Sequence, residues 1–155
     1  MKVSNYITIV VLTGLLLQSC KEDVPVINDP ISDIPAIEII SISPDVVTEY
    51  QDSIVFTISY QDGNGDLGQP NPDSTSLFLV DTRIFTVEDF YVPLLAPEGS
   101  EIAIQGELVI TLDRTIVVDP DADIETVQFQ IFIRDRAGNY SNIALTKEIT
   151  VLSDD

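Results

Sequence analysis

From residue 36 onward, apolar and polar side chains alternate in short runs, which is the period of a strand with one buried face. The cleanest run is 53–61, where Ile54, Phe56, Ile58 and Tyr60 share one face. Residues 126–135 repeat the pattern, with Val127, Phe129, Ile131 and Ile133 inward and Gln128 and Gln130 outward. Residues 36–43 form a β-branched run that ends at the turn signal Ser43-Pro44-Asp45. Residues 76–81 make a short strand with Leu77 and Leu79 on one face, and Phe78 and Val80 on the other. Residues 86–95 are expected to be an edge strand broken by Pro93. Residues 102–113 form a longer strand in which Gly106 marks a bulge, and 142–152 form the last strand. No stretch carries a 3.6-residue period with caps. The expectation is all-β: an antiparallel β-sandwich of the immunoglobulin (Ig) type, with about seven strands.

The first 35 residues read differently. Lys2 supplies a positive start, residues 7–17 are apolar, and Ser19 precedes Cys20, the one cysteine of the chain. The apolar run has signal-peptide length, short for a membrane span. An unpaired thiol in a secreted chain cannot form an internal disulfide, and acylation accounts for it. An ordinary signal peptide and an N-terminal membrane helix are the alternatives. Residues 21–35 carry Pro25, Pro30 and Pro35 without a sustained period. They read as an extended tether reaching about 45 Å at roughly 3.1 Å per residue. The domain division expected is thus 1–19 signal peptide, 20–35 lipidated cysteine and tether, and 36–155 sandwich.

Charge narrows the partners. Lys and Arg total 7 against 26 Asp and Glu, a net −19. Loss of residues 1–19 would remove Lys2 and no acid, leaving −20. Such a surface repels phosphate backbones, so nucleic acid is not an expected partner. Divalent cations and basic protein surfaces are. Hydrophobic residues make up 45% of the chain, enough for a core. Histidine is absent, which removes the usual general base and the commonest zinc ligand. No Gly-rich phosphate loop followed by Lys is present. Carboxylate pairs able to cleave glycosides arise by chance among so many acids. The chain is therefore expected not to be an enzyme, with a carboxylate-based hydrolase as the remote alternative.

The strongest chemical signal is Asp62-Gly63-Asn64-Gly65-Asp66. Oxygen ligands at alternate positions, separated by glycines, let a loop curl around one hard cation. Gly68 and Asp73 fall at later positions of an EF-hand-like loop, but Leu67 stands where the turn glycine belongs and no helices flank it. In a sandwich the turn after Arg134 lies at the same end, which would bring Asp135 and Asn139 toward the loop. The candidate Ca²⁺ ligands are thus Asp62, Asn64, Asp66, Asp73, Asp135 and Asn139, with Ca²⁺ in a structural role. The competing reading is a polar turn that uses Asp-Gly and Asn-Gly for backbone reasons. Asp119-Pro120-Asp121-Ala122-Asp123 is a second acidic run, stiffened by proline and better read as a turn.

Two resemblances add an address. Leu17-Gln18-Ser19-Cys20 resembles the lipobox of bacterial lipoproteins. That likeness implies cleavage before Cys20, lipidation of Cys20 and a membrane anchor. Lys21 is not the Asp that retains lipoproteins in the inner membrane. Lys21-Glu22-Asp23 resembles the Lys-plus-acidic signal that sends Bacteroidota lipoproteins to the outer cell surface. Arg134-Asp135-Arg136-Ala137-Gly138-Asn139-Tyr140-Ser141-Asn142 resembles the turn before the last strand of bacterial Ig-like domains. With Asp62 to Gly68, it is similar to small Bacteroidota outer-membrane lipoproteins with an Ig-like domain, a family with no established reaction. The resemblance implies a lipid-anchored module, with an outer-membrane protein as the expected partner in an uptake, secretion or barrel-assembly complex. The alternative is an independent surface lipoprotein that binds a glycan or peptide with Ca²⁺, through Phe78, Phe85, Phe90 or Tyr91.

Overall fold

The computed structural model describes residues 30–154. These are all-β, with ten strands and no helix. In chain order the strands are β1 (Ala36–Ser43), β2 (Val46–Thr48), β3 (Ile54–Asp62), β4 (Leu77–Asp81), β5 (Val87–Phe90), β6 (Ile104–Leu112), β7 (Ile124–Val127), β8 (Phe129–Ile133), β9 (Ala144–Leu145) and β10 (Ile149–Leu152). They form three sheets, ordered β1-β3-β6, β2-β10-β7 and β5-β4-β8-β9. All pairs are antiparallel except β2 with β10.

The alternating runs make the core. Ile54, Phe56 and Ile58 of β3 stand opposite Leu112, Ile110 and Leu108 of β6. They face the side chains of β4 and β8 in one buried cluster that includes Leu77, Leu79, Phe129, Ile131 and Ile133. Phe56 meets Phe129 edge to face across the layers, with ring centroids 5.6 Å apart. The arrangement is consistent with a β-sandwich.

Four departures from the sequence reading have local causes. The run expected to be a single strand at 126–135 breaks at Gln128. There Thr82 N–H and its hydroxyl both donate to the Gln128 carbonyl, and Thr146 binds both backbone groups of Phe129. The run at 142–152 breaks beside it, between Leu145 and Ile149. Both chains thereby leave one sheet and enter the next, as strands do at a sandwich corner. Gly106 does not bulge; β6 pairs with β3 in unbroken register through it. A Cβ at Gly106 would lie 2.7 Å from the Tyr60 hydroxyl, so the glycine makes room for the ring of its cross-strand partner. The bulge lies in β1 instead, at Ile40, between Ile39 and Ser41. It re-phases the strand so that Ile39 and Ile42, three residues apart, both pack on the core while Ile40 is exposed. Finally, the stretch read as tether does not run free to Pro35. Pro35 is buried, and Ser32 C=O accepts the Gly63 N–H at 2.7 Å.

Two smaller differences concern the edges. Val46–Thr48, too short to show a period, leaves the β1 sheet after Ser43 and pairs in parallel with β10. The expected edge strand at 86–95 is confined to β5, and Val92 and Leu95 bond instead to the loop that follows β3.

Candidate functional site

The site is built where β3 and β8 end. Asp62 closes β3, and the loop then turns through Gly63, Asn64 and Gly65 to Asp66. Gly65 has φ +71° and its Cβ would sit 2.4 Å from the Ile102 carbonyl, so only glycine fits there. Leu67, in the place of an EF-hand glycine, is fully buried and pins the loop into the core. The loop is an insertion from a sandwich, not a helix–loop–helix.

Backbone donors hold the carboxylates in place. Asp62 Oδ2 accepts the Asp66 N–H at 2.9 Å, and Asn64 Oδ1 accepts the same N–H at 3.3 Å. After β8 the chain makes a tight turn: Asp135 N–H donates to Asn139 C=O at 3.0 Å, and Gly138 N–H donates to Asp135 C=O at 3.3 Å. Asn139 returns two bonds, from its N–H and its side-chain Nδ2, to the two Asp135 oxygens, each at 2.7 Å. This turn docks on the loop. Arg136 N–H donates to Asp66 C=O and Ala137 N–H to Asp66 Oδ2, both at 3.1 Å. Arg136 Nη1 donates to the carbonyls of Leu67 and Gly68 at 3.2 and 3.1 Å.

What remains is an excess of buried negative charge. Asp62 is 0% exposed and Asp135 is 1% exposed. Asp62 Oδ1 and Asp66 Oδ1 are both buried without a hydrogen-bond donor. A buried carboxylate oxygen without a donor is costly. Burial pushes the Asp62 carboxyl above its ordinary pKa, and the charges of Asp66 and Asp135 push it further. Asp66 is raised in the same way, by burial first and then by Asp135, with Arg136 working in the opposite direction. A hard divalent cation fits this donor set: two free carboxylate oxygens, negative surroundings, and a loop whose ligand positions are spaced by glycine. Among the described residues, no group of three or more His, Cys, Asp or Glu side chains is placed so that it could hold a metal ion, so the protein offers Asp62 and Asp66 alone as carboxylate ligands.

The sequence candidates divide accordingly. Asp62, Asn64, Asp66, Asp135 and Asn139 are brought together by the bonds above. Asp73 is not: it is exposed, its N–H bonds to Asn71 Oδ1 at 3.0 Å, and no hydrogen bond joins it to the cluster. The sequence reading passed over Asp33, Glu101 and Arg136. With Gly63, Asn64 and Asp66 they line an open hollow of about 700 Å³ in front of the loop. Asp33 reaches it because its neighbour Ser32 is tied to Gly63, a contact between residues 31 apart that no local pattern announces. The second acidic run is a turn, in which Asp119 Oδ1 accepts the Asp121 N–H at 3.1 Å. Cys20, Lys21, Glu22 and Asp23 lie outside the described residues.

Comparison with known proteins adds little. No family model matches the chain, and no curated protein matches it. Among solved structures it is similar to the X-ray structure of Northeast Structural Genomics Consortium target SoR45. The identity is 11%, over 77% of this chain and 84% of that one, with a TM-score of 0.29, a likeness too distant to assign a fold or an activity.

Proposed function

We propose that this chain is a non-catalytic, lipid-anchored interaction module of the outer membrane, an Ig-like sandwich whose end loops are held by a structural Ca²⁺ ion. One observation carries the metal: two buried carboxylate oxygens, on Asp62 and Asp66, have no donor among the described residues. The strand order supports the Ig-like reading. On that reading the order β1-β3-β6 would correspond to strands A, B and E, and β4-β8-β9 to C, F and G, with β7 and β10 continuing F and G into the sheet with β2. The lipobox-like Leu17 to Cys20 supports the anchor, and Lys21 to Asp23 support the outer surface as its address. In this role the ion neutralises crowded carboxylates and fixes the domain end from which the tether leaves. The partner is an outer-membrane protein of an uptake, secretion or barrel-assembly complex.

The test is affinity capture of the tagged full chain from mild-detergent extracts of its own outer membrane, in Ca²⁺ and in EDTA. One stoichiometric membrane protein recovered in Ca²⁺ is the expected result. Recovery of the chain alone in both conditions overturns the accessory-subunit role. A second reading, an independent binder of glycans or peptides, draws on an aromatic strip beside the site. Phe78 and Phe132 stack at 5.1 Å, Tyr140 lies 5.9 Å from Phe132, and the Arg134 guanidinium sits 5.9 Å over both Phe78 and Tyr140. Binding in a Ca²⁺-containing glycan screen that Tyr140→Ala abolishes would favour it.

A further inference from the structure

Among the described residues, one long strand edge has no partner. β6 pairs with β3 through all nine residues and lies at the border of its sheet. Among the described residues, no backbone N–H or C=O of residues 104–112 bonds outside that pairing. The groups that point away from β3 are a ready template for another strand. The remaining borders are blunted. Asn142 covers part of the β1 edge, accepting the Ile37 N–H and donating to the Ile37 C=O at 2.9 Å each. β2, β5, β7 and β9 are only 3, 4, 4 and 2 residues long. By contrast β6 has no Pro, Lys or Arg and no bulge, and Val109 on its outer face is 67% exposed.

Beside this edge the sandwich is open. A cavity of about 170 Å³ lies between β5 and β6, lined by Phe90, Val92, Leu108 and Ile110 among others. The chain that borders it turns its backbone elsewhere: Val92 C=O accepts the Gln69 N–H at 2.8 Å, and Leu95 N–H donates to Leu67 C=O at 3.3 Å. In the Ig-like arrangement proposed above, a fourth strand belongs next to β6, and the described residues supply none.

We propose that β6 is a docking edge, completed by an extended segment of a partner protein that alternates apolar and basic side chains. Its apolar side chains meet Leu108, Ile110 and the cavity, which has room for an aliphatic group. Its basic side chains meet Glu107 on the outer face of β6, within a chain of net charge −19. The same charge argues against a second copy, since two β6 edges would bring two surfaces of −19 together. This surface deepens the interaction-module reading and rests on it for the Ig-like arrangement and for the existence of a protein partner; Ca²⁺ plays no part in it.

The probe is a fluorescent nine-residue peptide of alternating Lys and Val, with two twins of equal charge. One twin is N-methylated on every Val, the other on every Lys. Anisotropy is read with the full chain in mild detergent, and amide exchange maps the contact. Strand pairing sends the N–H groups of one residue type toward β6 and of the other to solvent. One twin is therefore expected to bind like the parent and the other at least tenfold more weakly, with protection at residues 104–112. Equal binding by all three peptides means charge attraction alone and overturns the proposal. So does an absence of binding, protection confined to other strands, or a chain that is already a dimer through β6. Because the probe is synthetic, its failure is distinguishable from a failed capture experiment. A captured partner with no probe binding refutes the edge, whereas probe binding with no captured partner leaves the edge standing and refutes the subunit role.

Discussion

Asp62→Asn separates a Ca²⁺ site from a polar turn because the two readings predict opposite signs. In the wild-type chain Asp62 Oδ2 accepts the Asp66 N–H while Oδ1 is buried without a donor. Asparagine keeps the size and the acceptor, removes the charge, and offers an amide to the oxygens of Asp66 nearby. Without metal the variant should melt above the wild type, because burial and two neighbouring carboxylates disfavour the Asp62 charge. With metal the order should reverse. A Kd of about 10⁻⁴ to 10⁻³ M and about 10 mM Ca²⁺ give the wild type roughly 1.4 to 2.7 kcal/mol through mass action. At about 3–5 °C per kcal/mol for a domain of this size, the wild-type Tm should rise by roughly 4–14 °C. The variant should keep little of that rise, so the two melting series cross. Differential scanning calorimetry in EDTA and in Ca²⁺ measures all four values. A wild-type melt unchanged between the two buffers refutes the site, and so does a Ca²⁺ shift of equal size in Asp62→Asn.

Three further outcomes follow from the same structure. The raised carboxyls of Asp62 and Asp66 contribute stability that is fully present below their ordinary values near pH 4 and is lost as pH rises through the raised ones. In EDTA the wild-type Tm should therefore climb relative to Asp62→Asn as pH falls from neutral to the ordinary carboxylate value near 4, and curves parallel over that whole range would contradict this. Arg83 grips Asp81 through Nε at 3.1 Å and Nη2 at 2.7 Å, and Glu125 through Nη1 at 2.8 Å. Arg83→Met leaves the buried Asp81 unpaired and should cost about 3–5 kcal/mol in urea unfolding, with the Ca²⁺ response intact. A Cβ at Gly63 would lie 2.3 Å from the Ile31 carbonyl, so Gly63→Ala should cost about 1–3 kcal/mol. It should also speed amide exchange at residue 63, whose N–H is held by Ser32.

The strands were legible wherever one face is buried and the other wet. Residues 54–62 and 129–133 read correctly because their periodicity is set by the core alone. The errors fall where a distant side chain decides. Nothing within residues 126–135 announces that Thr82 and Thr146 will take the hydrogen bonds of Gln128 and Phe129. The Ile-rich run of β1 fits two phases, and the bulge at Ile40 uses both, one on each side. Gly106 has the residue type of a bulge, but its place is explained by the Tyr60 ring across the pair, which only the register reveals.

For the site, spacing led to Asp62, Asn64 and Asp66, and the topology of a sandwich led to Asp135 and Asn139. What neither exposes is how the oxygens are shared. Asn139 occupies both oxygens of Asp135, so that carboxylate acts on the loop through charge and through the turn it braces. Asp62 and Asp66 each commit one oxygen to a backbone N–H and leave the other buried and bare. The nearest cation in the turn, Arg136, has spent Nη1 on the carbonyls of Leu67 and Gly68, and it tempers the Asp66 carboxyl without giving either bare oxygen a donor. The chain offers 7 cations against 26 acids, so little positive charge is left to recruit from elsewhere in the fold. On the proposed reading, the counter-charge for this end of the domain would come from solution. Glycine spacing, bare oxygens and raised carboxyls are the three observations that the proposed reading accounts for together.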